Sequence, residues 1–97
     1  MELNVDQKKI EHFCKLHHVR KLSFFGSVLR ADFRPDSDID VLIEFQPNHL
    51  PGLLGMAKMQ RELAAILGRS VDLRTPEDLS RYFRQDVLAK AQIQYAA

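Results

Sequence analysis

Residues 38–45, Asp-Ile-Asp-Val-Leu-Ile-Glu-Phe, alternate with a period of two. Successive side chains of an extended chain point to opposite faces. Ile39, Val41, Ile43 and Phe45 therefore fall on one side, and Asp38, Asp40 and Glu44 on the other. Such a strand can be buried on one face only. It demands a sheet with an apolar layer packed against one side, and it leaves the acidic side as a working surface.

The flanking segments supply that layer. Asn4 is placed to cap a first helix, with Ile10, Phe13, Cys14 and Leu16 as its apolar stripe and Lys8, Lys9, Glu11 and Lys15 as its wet face. This helix is expected to end near His18. Residues 20–25 read as a strand that stops at Gly26, and a short helical turn from Ser27 to about Ala31 follows. Arg34-Pro35-Asp36-Ser37 is turn chemistry. After Pro51-Gly52 a second long helix runs to about Leu67, carried by Leu53, Met56, Met59, Leu63, Ile66 and Leu67, and Gly68 terminates it. In Ser70–Arg74, a third strand, Val71 and Leu73 point one way and Asp72 the other. Thr75-Pro76-Glu77-Asp78 has the pattern of a helix start, and that helix is expected to reach about Gln92. The order predicts an α/β (α+β) fold, a small mixed β-sheet with helices packed on one face. Residues 1–97 are read as a single domain, with one core and no second lobe.

Fourteen basic against thirteen acidic side chains leave the chain without the basic excess that long nucleic acid requires, so no direct binding of long nucleic acid is expected. The lone cysteine, Cys14, excludes an internal disulfide. Residues 1–25 show neither an apolar span nor a signal-peptide profile, so no membrane partner is expected and a reducing cytoplasm fits best.

The acidic surface carries the chemistry. Asp38 and Asp40 on one strand face, joined by Asp72 from a neighbouring strand, would lie on the order of 5 Å apart. At an effective dielectric near 20 each pair then repels by roughly 3 kcal/mol. A hard divalent cation relieves that repulsion. An oxygen-only donor set favours Mg²⁺, with Mn²⁺ as the alternative, over zinc. Asp38 and Asp40 are thus candidate metal ligands, and Asp72 is a third ligand or the base that takes a proton from an attacking hydroxyl. Upstream, Gly26 permits a sharp turn and close approach of a ligand, and Ser27 offers a hydroxyl and a backbone N–H at the start of a short helix. Arg30, one turn on, could reach the same phosphates. A triphosphate could be clamped between that cradle and the carboxylates. Taken singly, a Gly-Ser pair is loop punctuation and an Asp-x-Asp a solvated strand edge; the weight lies in their joint spacing. Arg30 could equally be a plain surface arginine, and Arg34 is a weaker candidate still. Glu44 is expected at a solvated strand end, Cys14 as a core thiol, and His17 and His18 as exposed imidazoles.

Gly26-Ser27, ten intervening residues and then Asp38-Ile39-Asp40 resemble the signature of the nucleotidyltransferase superfamily that includes DNA polymerase beta. Within it, RPDSDIDVLIEF followed by VDLRTPEDLSRYFR is similar to the minimal nucleotidyltransferase (MNT) domain proteins, from roughly Arg20 onward. The resemblance implies the nucleotidyltransferase fold, triphosphate binding at Gly26 and Ser27, metal ions at Asp38 and Asp40, and Asp72 as the third carboxylate. It also implies ATP as substrate and, as partner, a HEPN-domain ribonuclease toxin that such proteins neutralise, some by moving AMP onto a tyrosine hydroxyl. Asp32 departs from the glycine frequent there, which predicts altered loop geometry and weaker phosphate binding. Three functions follow: an AMP-transferring antitoxin forming a hetero-oligomer with its toxin, an antitoxin that acts by binding alone, and a transferase for a small-molecule hydroxyl. The third is disfavoured because such enzymes usually carry a second domain for the acceptor.

Overall fold

The computed structural model describes residues 5–29, 34 and 36–97, and of Ser27 the backbone alone. Helix α1 spans Gln7–Leu16. Its N-cap is Asp6 and not Asn4, which lies outside the described residues; the Asp6 carboxylate accepts from the amides of Lys8 and Lys9 at 3.1 and 3.2 Å. A carboxylate there also meets the positive end of the helix dipole. Ile10, Phe13 and Cys14 are buried, but Leu16 is 62% exposed. Six residues beyond Ile10 it lies about 240° around the helix, off the packed face. The next stripe position belongs to His17, whose ring packs at a tilt on Phe13 and whose Nε2 is 2.7 Å from the Glu62 carboxylate. His17 is therefore a half-buried link between two helices and not an exposed imidazole. His18 is exposed as expected, at a positive φ of 57°, and stacks on His49 with ring centroids 3.9 Å apart.

Strand β1 (Val19–Phe25) leads into a 3₁₀ turn at Gly26–Leu29, and β2 (Ile39–Phe45) into helix α2 (Leu53–Leu67). Gly68 closes α2 at a φ of 69°, in the left-handed conformation that its missing Cβ permits. The α2 stripe begins later than expected: Met59, Leu63 and Leu67 are buried and Met56 packs beside them, while Leu53 in the first turn is 90% exposed. Strand β3 is Val71–Arg74.

The chain then departs from the expected long helix. The Thr75–Asp78 capping box forms, with the Thr75 amide and hydroxyl both donating to the Asp78 carboxylate at 3.1 Å, but it closes a single 3₁₀ turn. Leu79 turns extended, Ser80 caps a new helix α3 (Arg81–Lys90), and Gln92–Ala96 forms a fourth strand, β4, in place of helix. Strand β4 finds an open edge along β1, and tertiary pairing overrides the weak local helix preference.

The sheet order is β3-β2-β1-β4, with β2 and β3 parallel and the other neighbours antiparallel. Ile39, Val41 and Ile43 from β2, Leu22 and Phe24 from β1, and Val71 and Leu73 from β3 bury one face against α1 and α2. Helix α3 contributes no buried residue to that layer. It lies on the connection from β3 to β4, which passes from one sheet edge to the other. The sheet face opposite α2 is also covered in part. Leu42 and Ser23, whose side chains belong to that face, are nearly fully buried.

Candidate active site

Three strands meet at one end of the sheet through two register pairs: Phe25 opposite Asp40, and Asp40 beside Asp72. The end of β1, Asp40 and Asp72 thus form a row across neighbouring strands, each about 4.8 Å from the next. Gly26 follows at once, with a φ of 70°. A Cβ there would lie 2.4 Å from Oδ2 of Asp40 and 3.2 Å from its Cγ. The carboxylate rests against bare backbone, so the glycine is required twice, for its dihedral and for the space. The 3₁₀ turn carries the Ser27 amide beside this point. Arg30 and Asp32 lie outside the described residues.

Asp38 is exposed and stands immediately before β2. Its neighbourhood is held by backbone: the Ile39 amide donates to the Ser70 carbonyl at 2.9 Å, and the Ser37 amide to the Arg34 carbonyl at 3.0 Å, closing the expected turn. The guanidinium of Arg69, at the α2–β3 junction, donates to the carbonyls of Arg34 and Ser37.

Asp72 is partly buried and its carboxylate accepts from Nε of Arg74 at 3.1 Å. This cation, two residues on and hence on the same strand face, offsets one of the three charges that the sequence left uncompensated. The pair is well exposed to water and contributes at most about 1 kcal/mol. Among the described residues no three His, Cys, Asp or Glu side chains are gathered into a ready-made metal cage. The donor set nevertheless fits magnesium. That ion uses one or two carboxylates and fills its octahedron with water and phosphate oxygens, and Asp38 with Asp40 beside the bare backbone of Gly26 would be such a set. Glu44 is not merely solvated: Arg20 donates to it, and Lys21 lies 3.9 Å away. Cys14 is a core thiol, and burial pushes its pKa up to about 12.

A marked concavity lies elsewhere. A groove of about 910 Å³ opens at the opposite ends of β2 and β3, between the β2–α2 loop and the 3₁₀ turn at Pro76–Asp78, lined by Phe45, Leu53, Met56, Leu73 and Pro76 among others. Gly26, Asp38, Asp40 and Asp72 do not border it.

Sequence reasoning missed two participants. Arg74 was findable, since the same period of two that put Asp72 on the acidic face puts Arg74 there. Arg69 was not, because it acts across 32 to 35 residues of chain.

The family model described as nucleotidyltransferase domain matches residues 7–94. A Methanocaldococcus jannaschii protein assigned by name to the protein adenylyltransferases is 32% identical over 91 residues, which are 94% of this chain and 96% of that one. The protein adenylyltransferase MntA of Thermococcus cleftensis is 36% identical over 70 residues, 72% of this chain and 69% of its own. Among solved structures, a toxin–antitoxin complex with AMP-PNP superposes with a TM-score of 0.75 at 19% identity, over 96% of this chain and 75% of that one. A complex of a tri-AMPylated Shewanella oneidensis HEPN toxin with its MNT antitoxin gives a TM-score of 0.65 at 18% identity, over 94% and 70%. At these identities the two complexes share the fold with this chain.

Proposed function

This chain belongs to the nucleotidyltransferase domain family, and from that premise we propose that it transfers AMP from ATP to a hydroxyl, a tyrosine in first place, of a HEPN-domain toxin and thereby acts as its antitoxin. The relatives named as adenylyltransferases and the toxin complexes of the same fold support this reading. The observation that carries it is the contact of Asp40 with the bare backbone of Gly26, which puts an acidic strand end and a glycine turn at one point of the sheet. Gly26 and the Ser27 amide receive the triphosphate, with Arg30 as a further contact. Asp38 and Asp40 would hold Mg²⁺, with Mn²⁺ as a substitute, and Asp72 would serve as third ligand or base. When bound, the ion supplies charge neutralisation for the attacked phosphate and for the leaving group. The acceptor oxygen bonds to the α-phosphorus, the bond from that phosphorus to the β-phosphate oxygen breaks, pyrophosphate leaves, and Asp72 takes the hydroxyl proton. Residues 1–97 act as one domain, and the acceptor pocket is completed by the partner in a hetero-oligomer. A buried free thiol and ATP as substrate fit the cytoplasm. No described helix is long and apolar enough to cross a membrane.

The second reading, an antitoxin that works by binding alone, draws on the Arg74 contact, which ties up the Asp72 carboxylate. One experiment separates the two. The chain is incubated with labelled ATP, Mg²⁺ and a co-purified toxin, and the label is located. Label on a toxin tyrosine that disappears in the Asp38→Ala/Asp40→Ala double variant supports transfer. Neutralisation that survives the double variant, with no label moved, supports binding alone.

A further inference from the structure

The two peptide planes that flank Asp38 are each held by the junction between α2 and β3. The plane before it carries the Ser37 carbonyl, which accepts from Nη2 of Arg69 at 2.7 Å; the plane after it carries the Ile39 amide, which donates to the Ser70 carbonyl at 2.9 Å. Nη2 of Arg69 also donates to the Arg34 carbonyl, at the other end of the turn that the Ser37 amide closes. With both flanking planes fixed, φ and ψ of Asp38 are fixed, although its side chain is exposed and it stands outside the strand ladder. The Ile39 bond is part of the parallel β2–β3 pairing and comes with the sheet. The Arg69 bonds do not: they are side-chain bonds reaching back more than thirty residues. Both bonds leave one nitrogen, Nη2, whose two N–H groups are fixed in the guanidinium plane and aim at one carbonyl each, whereas the donors of an ammonium rotate freely.

We propose that Arg69 is a positioning residue for Asp38: it clamps the 34–37 turn so that the first carboxylate of the Asp-x-Asp pair is presented to the metal in one orientation. This rests on the reading of Asp38 as a metal ligand given above. A group that orients a ligand affects metal affinity by roughly 10- to 100-fold when removed, without touching metal or nucleotide itself.

The test is a double-mutant cycle on Mn²⁺ affinity, read by electron paramagnetic resonance on the full chain, with AMP transfer and thermal melting measured in parallel. Arg69→Gln is expected to weaken Mn²⁺ binding about tenfold, to raise the Mg²⁺ concentration needed for half-maximal transfer by a similar factor, and to speed hydrogen exchange at the Ser37 amide, whose bond to the Arg34 carbonyl lies in the turn that Arg69 holds. Arg69→Lys, which keeps the charge but presents its donors without a fixed plane, is expected to fall between Arg69→Gln and wild type, and it serves if Arg69→Gln does not fold. In an Asp38→Asn background, Arg69→Gln should cost no further Mn²⁺ affinity. Losses that add in the double variant, or unchanged Mn²⁺ affinity in a folded Arg69→Gln protein, overturn the clamp. A wild-type chain that binds Mn²⁺ and shows the coupling, yet labels no partner, refutes the transfer reaction and supports the clamp. A wild-type chain that binds no Mn²⁺ overturns both.

Discussion

Ile39, Val41 and Ile43 of β2 are completely buried against the layer that α1 and α2 supply, while Asp40, between them in sequence, projects from the other face and lies against Gly26. One seven-residue strand thus contributes at once to the core and to the candidate site. The difference between its faces teaches that in a chain of this size the two are separable by side-chain direction alone: one face can be damaged and the other left standing.

The largest expected effect is on the core face. Ile43→Ala removes a fully buried side chain and should cost about 2–5 kcal/mol of stability, read from the urea midpoint, while the molecules that stay folded transfer AMP at the wild-type rate. Asp40→Asn should do the reverse, lowering AMP transfer by about 100-fold, equivalent to about 2.7 kcal/mol, with a urea midpoint close to wild type. If either variant loses both properties in proportion, the separation of faces is wrong. Gly26→Ala should strike both. Its φ of 70° makes an added Cβ cost about 1–2 kcal/mol, and that atom would displace the Asp40 carboxylate, so ATP binding weakens along with the melting temperature.

A pH titration sharpens the comparison further. Burial raises the Cys14 pKa from 9.0 to about 12. A pKa raised in the folded state means that folding favours the protonated thiol, so its contribution is fully present below pH 9 and is lost as pH rises toward 12. Urea midpoints should therefore fall across that alkaline window, and a Cys14→Ala variant should show a smaller fall. The smallest effect belongs to the rim of the groove, at the end of β2 away from Asp40. Leu53 is 90% exposed, and Leu53→Ser should change stability by no more than about 0.5 kcal/mol and leave the label on the acceptor unchanged in amount. A large loss of transfer there would move the site from the sheet end to the groove.

Much of the fold was legible because burial follows period. The alternation of 38–45 placed β2 and its two faces, and Gly68 marked the end of α2. What escaped were decisions made by distant partners. No turn residue separates Gln92–Ala96 from α3, since Ala91 between them is itself a good helix former, and only the open edge of β1 makes the segment a strand. Thr75–Asp78 has the residues of a helix start and forms the capping box, yet the backbone of Leu79 breaks the helix after one turn. Asn4 and Asp6 are both good caps two residues apart, and local sequence does not choose between them. In the candidate site, spacing led to Gly26, Asp38, Asp40 and Asp72, because glycine turns and paired carboxylates are local patterns. It could not lead to Arg69, whose acceptors are carbonyls that any residues would supply at positions 34 and 37.

The pairing of Lys21 with Ala96 and of Phe24 with Gln92 bears on how the molecule comes into being. Strand β1 is synthesised before β4, its second neighbour, which follows some seventy residues later in the chain, and contacts of such separation form slowly. Synthesis must pass residue 96 before the strand that ends at Phe25 is flanked on both sides, so a nascent chain stalled short of that point would carry the Asp-x-Asp motif on a sheet still lacking its edge.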